Sequence, residues 1–197
     1  MNKIKVRKVR PVMPSGIRGI LFYIRMKFSP MNRRMEMLRP YFHYLGNNVK
    51  LFSPSLPSEL YLVSIEDNVM CASGVRFLTH DASINHLMRI TPNELMDSVG
   101  SIILRENCFI GAFSTLMPNC SVGKNSIVAA GSVVTKHIPD NEVWGGVPAR
   151  KLMDINELID KKKIEARKLP WLDGGTKLAG NDLVQSREHF YFNDDSK

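Results

Sequence analysis

LRENCF IGAFST LMPNCS VGKNSI VAAGSV VTK, the run from Leu104 to Lys136, places an aliphatic residue at every sixth position: Leu104, Ile110, Leu116, Val122, Val128 and Val134. Four residues after each of the first five stands a small one: Cys108, Ser114, Cys120, Ser126 and Ser132. A helix repeats near 3.6 residues and an alternating strand at 2, so neither accounts for a strict six with two fixed slots. Six residues do fit one flat side of a triangular prism, with three sides to a coil. The aliphatic residue then fills the interior, and the small one fits where the chain bends toward the next side. Residues eighteen apart should stack on one face, which pairs Cys108 with Ser126 and Ile102 with Cys120. Cys108 and Cys120 thereby fall on different sides. With Cys71 they read as small buried thiols rather than a disulfide framework, a redox pair or a metal set.

Working outward, the register returns upstream at Ile65, Cys71 and Phe77, and again in LGNNVK at Leu45, with Leu51 next. It lapses between Phe77 and Leu104, so residues 79–98 read as a loop thrown out from the coil. The chain therefore divides into a basic, partly helical segment (1–44), the repeat domain (45–153) and a C-terminal helix with a polar tail (154–197). Helical stretches are expected over Ile17–Lys27, Met31–Tyr44 and Asp154–Lys168. The last has an acidic start and a basic end that suit the helix dipole.

The 197 residues carry a formal charge of +8, with 44% hydrophobic and 23% charged content, the balance of a folded chain. Eleven Lys and Arg precede residue 45 against one acid, Glu36. Such a segment could meet a nucleic acid, an anionic glycan or, by peripheral contact, an anionic membrane surface; a solvated basic surface is the plainer reading. A nucleic-acid role is disfavoured, because aromatic residues are not interleaved as stacking platforms. The most apolar stretch, Ile17–Met26, contains Arg18 and Arg25 and falls short of the roughly 20 residues that span a bilayer. No signal-peptide pattern is evident. A cytoplasmic location, at most at the inner membrane face, is the expectation.

The run Ile110–Leu152, IGAFSTLMPNCSVGKNSIVAAGSVVTKHIPDNEVWGGVPARKL, resembles the hexapeptide-repeat acyltransferases. It is most similar to the group holding galactoside and maltose acetyltransferases and capsule or lipopolysaccharide O-acetyltransferases. The features that carry the likeness are IG-x-x-S-x-L-x-P, AAGSVVTK, and IPDN followed by GGVPARK. The resemblance implies an all-β fold, a left-handed parallel β-helix with short helical extensions at both ends. It also implies a homotrimer with sites between subunits, acetyl-CoA as co-substrate and no required metal. Residue by residue it places Ala112 and Ala130 beside the pantetheine arm, and Thr135, Lys136 and Arg150 near the nucleotide phosphates, where cations meet anionic charge.

The expected reaction is O-acetylation of a sugar or sugar-nucleotide hydroxyl in surface polysaccharide biosynthesis, by direct transfer. A base must take the hydroxyl proton, and imidazole titrates in the useful range. Related enzymes carry that histidine in the loop, and His80 in the triplet THD matches its place. His86 is the second choice, otherwise an acceptor contact. Asp81 would orient the imidazole or hold acceptor hydroxyls. His43, His137 and His189 are read as incidental. The alternatives are N-acetylation of an amino-sugar nucleotide, a metal-dependent hydratase on the same coil, and a non-catalytic binding protein. The hydratase would need three converging histidines.

Overall fold

The computed structural model describes residues 14–52, 55–57, 59–92, 94–169, 172–173 and 177–178. The first basic residues, Lys3 to Arg10, and most of the polar tail with His189 lie outside them. The chain forms two compact units, residues 1–153 and 154–197.

In the first unit, helices α1 (Gly16–Lys27) and α2 (Met31–Leu38) lead into very short strands. The first coil holds β1 (Tyr44–Leu45) and β2 (Lys50–Leu51), and the second β3 (Val63–Ile65), β4 (Met70–Cys71) and β5 (Arg76–Phe77). Helix α3 (Ile84–Ile90) lies in the loop that follows. The third coil is β6 (Ile102–Leu104), β7 (Phe109–Ile110) and β8 (Thr115–Leu116); the fourth is β9 (Cys120–Val122), β10 (Ile127–Val128) and β11 (Val133–Val134). Then come β12 (His137–Ile138), β13 (Glu142–Gly145) and β14 (Arg150–Asp154). In the second unit, α4 spans Ile155–Ala166, and β15 (Leu172–Asp173) pairs antiparallel with β16 (Lys177–Leu178).

The strands sort into three sheets: β1-β3-β6-β9-β12, β2-β4-β7-β10-β13-β14, and β5-β8-β11. Each successive strand from β3 to β12 moves to the next sheet, so the chain winds round a three-sided coil with parallel pairing between turns. The stacking follows the eighteen-residue rule: Ile102 lies opposite Cys120, and Phe109 opposite Ile127, which sets Cys108 over Ser126.

The interior is the six-residue pattern made solid. Leu104, Ile110, Leu116, Val122 and Val128 are fully buried, and so are Ser114, Ser126 and Ser132 in the small slot. Those serines sit inside the bends, where their hydroxyls donate to backbone carbonyls: Ser126 to Pro139 at 2.6 Å, and Ser132 and Ser114 both to Ala129, at 2.6 Å and 3.0 Å. A buried polar group this well paired costs the fold little. On the edge between the first and second sheets the bend needs a left-handed residue, and Asn48, Asn68, Asn107, Asn125 and Asn141 all have φ between 52° and 61°. Asn tolerates that region best after Gly. Their amides bond one another along the edge, Asn107 to Asn125 and Asn125 to Asn141 at 2.8 Å each.

Two departures from the sequence reading have physical causes. Helix α2 ends at Leu38 rather than continuing to Tyr44, because Pro40 cannot donate to the Glu36 carbonyl and crowds it; Tyr44 opens β1 instead. The core also reaches into the N-terminal segment, since Met35, Leu38 and Phe42 are buried with the coil residues and cover its first turn.

All three cysteines are free and buried. Burial pushes the thiols of Cys108 and Cys120 up from about 9 to about 12, and that of Cys71 well above its ordinary value. At neutral pH the native thiols should therefore resist a thiol-exchange reagent, and all should react once denaturant opens the coil. The sign follows from the raised pKa. The protonated thiols favour the fold fully below pH 9, and that contribution is lost as the pH climbs from 9 toward 12. Rapid labelling in native buffer would contradict this burial.

Candidate active site

The loop leaves and rejoins the coil at one place. Gly100 N–H donates to Thr79 O at 2.7 Å, Asp81 N–H to Ser98 O at 2.9 Å, and His80 forms an antiparallel bridge with Val99. Thr79 is fully buried and holds this root to the core. Its hydroxyl donates to Glu59 Oε2 at 2.7 Å, and the same oxygen lies 3.1 Å from His80 Nδ1. With Glu59 ionised, that contact is made by Nδ1–H, which leaves the Nε2 lone pair as the free proton acceptor.

A cavity of about 410 Å³ opens beside His80, bounded by Leu56 and Pro57 of the first coil, Asp81, and Met117 and Pro118 of the third. Its size is that of a small-ligand site. Asp81 is at its rim, and its carboxyl is held below the ordinary range, first by the Ser83 N–H at 2.9 Å, then by the Ser83 side chain, with the neighbouring His80 adding to it. His86 lies on α3, exposed, and does not line this cavity.

The other sequence-derived positions fall elsewhere on the prism. Thr135 and Lys136 follow β11 on the same edge as His80, which follows β5; β8 separates the two strands, so the offset is two strand spacings, about 10 Å. Lys136 Nζ stands 5.2 Å over the Trp144 ring. Trp144 is fixed in turn by Glu142, which accepts from its Nε1 at 2.6 Å and pairs with Lys151 at 2.9 Å. Arg150 is exposed on β14, with Nη1 donating to Ala149 O at 3.0 Å. Ala112 and Ala130 stack on the opposite margin of the third sheet, joined by Gly131 N–H to Ala112 O at 2.8 Å. The coils are pressed together there, since a Cβ on Gly111 would fall 2.4 Å from Ala130 N. The result is a shallow wall of small residues.

Glu59, Trp144 and Glu142 were not singled out from sequence. No sequence motif marks Glu59: the first coil advances by twenty residues at Tyr44 opposite Ser64 and by twenty-one at Ser55 opposite Arg76, a step that only the structure reveals, and Glu59 comes within reach of both Thr79 and His80. Among the described residues no three His, Cys, Asp or Glu converge as a metal-ligand set.

Residues 101–136 match the family described as bacterial transferase hexapeptide (six repeats). Protein CapG of Staphylococcus aureus is 35% identical over 143 residues, covering 71% of this chain and 81% of that protein. Galactoside O-acetyltransferase of Escherichia coli K12 is 30% identical over 151 residues, covering 73% of this chain and 72% of that enzyme. A hexapeptide-repeat acetyltransferase from Vibrio cholerae, solved with acetyl coenzyme A, shares the fold with a TM-score of 0.54 at 20% identity, over 69% of this chain and 84% of that one. The repeat core and these relatives agree: the chain belongs to the hexapeptide-repeat family of acyltransferases.

Proposed function

We propose that this protein transfers the acetyl group of acetyl-CoA to a sugar hydroxyl, with His80 as general base. The observation that carries the reading is His80, held by Glu59 of the first coil, beside a ligand-sized cavity at the point where the loop is rooted in the coil. The name of the Escherichia coli relative, galactoside O-acetyltransferase, supports a saccharide acceptor, and the resemblance to capsule O-acetyltransferases is the ground for a role in surface polysaccharide synthesis.

The chemistry is a single displacement through a tetrahedral intermediate. The acceptor oxygen attacks the thioester carbonyl carbon while Nε2 of His80 takes its proton. The C–S bond then breaks, and the coenzyme A thiolate leaves with the proton returned by the imidazolium. An acetyl ester and free coenzyme A result. A thioester is already activated, so holding both substrates together suffices and no acyl-enzyme is needed. The buried thiols, with their raised pKa values, are unsuited to act as nucleophiles.

The winding is read as left-handed and the assembly as a homotrimer. On one chain the His80 edge and the Ala112/Ala130 wall lie on opposite margins of the third sheet. A donor along that wall reaches a histidine when a neighbouring prism brings its own His80 edge alongside. Ala112 and Ala130 would line the pantetheine arm. Thr135, Lys136 and Arg150 would meet the nucleotide and its phosphates, with Lys136 steadied by Trp144. Asp81, at the cavity rim, would bind the acceptor, and His86, outside the cavity on α3, would meet only an acceptor that extends beyond it.

The test is release of coenzyme A thiol from acetyl-CoA with a panel of saccharides, and detection of the ester by mass spectrometry. Absence of both across the panel would overturn the reading. For the donor site, Lys136→Ala with Arg150→Ala should weaken coenzyme A binding about 10–100-fold by calorimetry and slow the bound complex far less. Unchanged affinity would return both residues to plain surface.

A further inference from the structure

Helix α1 carries a second apolar face that the core does not use. On its inner side Phe22 and Met26 pack against the core, and Phe22 meets Tyr41 edge-on with ring centroids 5.9 Å apart. On its outer side Ile17, Ile20, Leu21, Ile24 and Phe28 stand exposed, Ile17 by 77% and Phe28 by 81%. Their spacing is that of one continuous helical stripe. A helix that served only as a lid on the coil would be polar there. At 100° per residue, Arg18 and Arg25 border one margin of the stripe and Lys27 the other. The preceding segment adds Lys3, Lys5, Arg7, Lys8 and Arg10, and no acid occurs before Glu36. Beside the helix, a cavity of about 340 Å³ has Met26, Met35, Leu38 and Leu51 in its walls, with Lys27 and Arg34 among the lining residues.

Each candidate cover must answer both features, the apolar stripe and the cations beside it. A second copy would bring an equally basic segment to the same place, and like charges facing each other are penalised. A nucleic acid would satisfy the cations and leave the aliphatic stripe against water. An anionic bilayer surface satisfies both: the stripe enters the boundary between headgroups and acyl chains, and the flanking cations reach up to the phosphates. The helix is 12 residues long, too short to span, so its place is in the interface plane.

We propose that α1, with the cations that flank its apolar stripe, is a peripheral anchor that docks this protein on anionic membrane. The proposal is independent of the acetyl-transfer reading, and its test needs no activity assay. Full-length protein is sedimented with vesicles of phosphatidylcholine alone and of phosphatidylcholine with an equal part of phosphatidylglycerol. Binding should be roughly tenfold or more tighter to the anionic vesicles and should weaken with added salt. Two variants separate the contributions: Ile20→Ser with Ile24→Ser removes the stripe, and Arg18→Glu with Arg25→Glu reverses its margin. Each should lose vesicle binding while keeping the wild-type circular dichroism and sedimentation coefficient, since all four side chains are exposed. Equal affinity for both vesicle types, no binding to either, or binding that survives both variants would overturn the proposal. So would a change of oligomeric state in the stripe variant, which would assign this face to contact between copies.

Discussion

His80→Ala should lower kcat about 10²–10⁴-fold, the range lost when a positioned general base is removed. Donor affinity and assembly should hold, because the side chain is about half exposed and makes its bond to Glu59 rather than to the coil interior. Steady-state kinetics with a saccharide acceptor and calorimetry with coenzyme A check both halves. Near-wild-type turnover would remove His80 from the mechanism, and a collapse confined to His86→Ala would move the role to α3. In the proposed mechanism Glu59 acts through the imidazole and is a positioning residue. Glu59→Gln should reduce kcat by about tenfold or more with little change in the donor KM, and Glu59→Asp should restore part of the loss. A purely structural Glu59 would instead lower thermal stability in both variants and leave turnover per folded molecule unchanged.

Leu116→Ala should destabilise the fold by about 2–5 kcal/mol, because a fully buried side chain leaves a cavity between coils that are too tightly stacked to collapse into it. Lys124→Ala, eight residues further along the chain, should cost far less, since its pair with Glu106 is about half exposed and screened by solvent. Urea denaturation at one fixed protein concentration compares them, a precaution that matters if copies associate. Equal losses at the two sites would mean that the six-residue aliphatic position is not the one that fills the prism.

The regularity behind that expectation is why so much of the coil could be read from the sequence. Leu104 to Val134 repeat without interruption, and the small slot is as regular as the large one, so period, stacking partner and burial all followed from spacing. Legibility fell where the step changed. The last turn is two residues shorter, with His137 opposite Ser121, so Ile138 and Trp144 do not continue the run of sixes. The site was legible in a different way. His80 stood out through its family place and the break in the pattern, whereas Glu59 belongs to a coil whose step is twenty to twenty-one, and no local motif marks it. Lys136 is proposed as a donor contact from its family place, but its seat over Trp144 required two turns to be brought side by side. The exposed stripe on α1 was visible only as an apolar stretch broken by arginines, because which side the core covers is a tertiary fact.

The root of the loop has an evolutionary meaning. Arg76 pairs with Thr115 thirty-nine residues on, while the next pair on that sheet, Thr115 with Val133, needs only eighteen, yet the two pairings are equally in register. The surplus residues depart and return across Thr79 and Gly100, so the coil does not register how many there are. Lengthening such an excursion costs little, because closure entropy grows only with the logarithm of length. Insertions, deletions or a transplanted loop from a relative can therefore be tried between two fixed breakpoints without retuning the core. Lineages built this way can drift in what they recognise while inheriting their architecture unchanged, and a chimera joined at Thr79 and Gly100 has the same freedom at the bench.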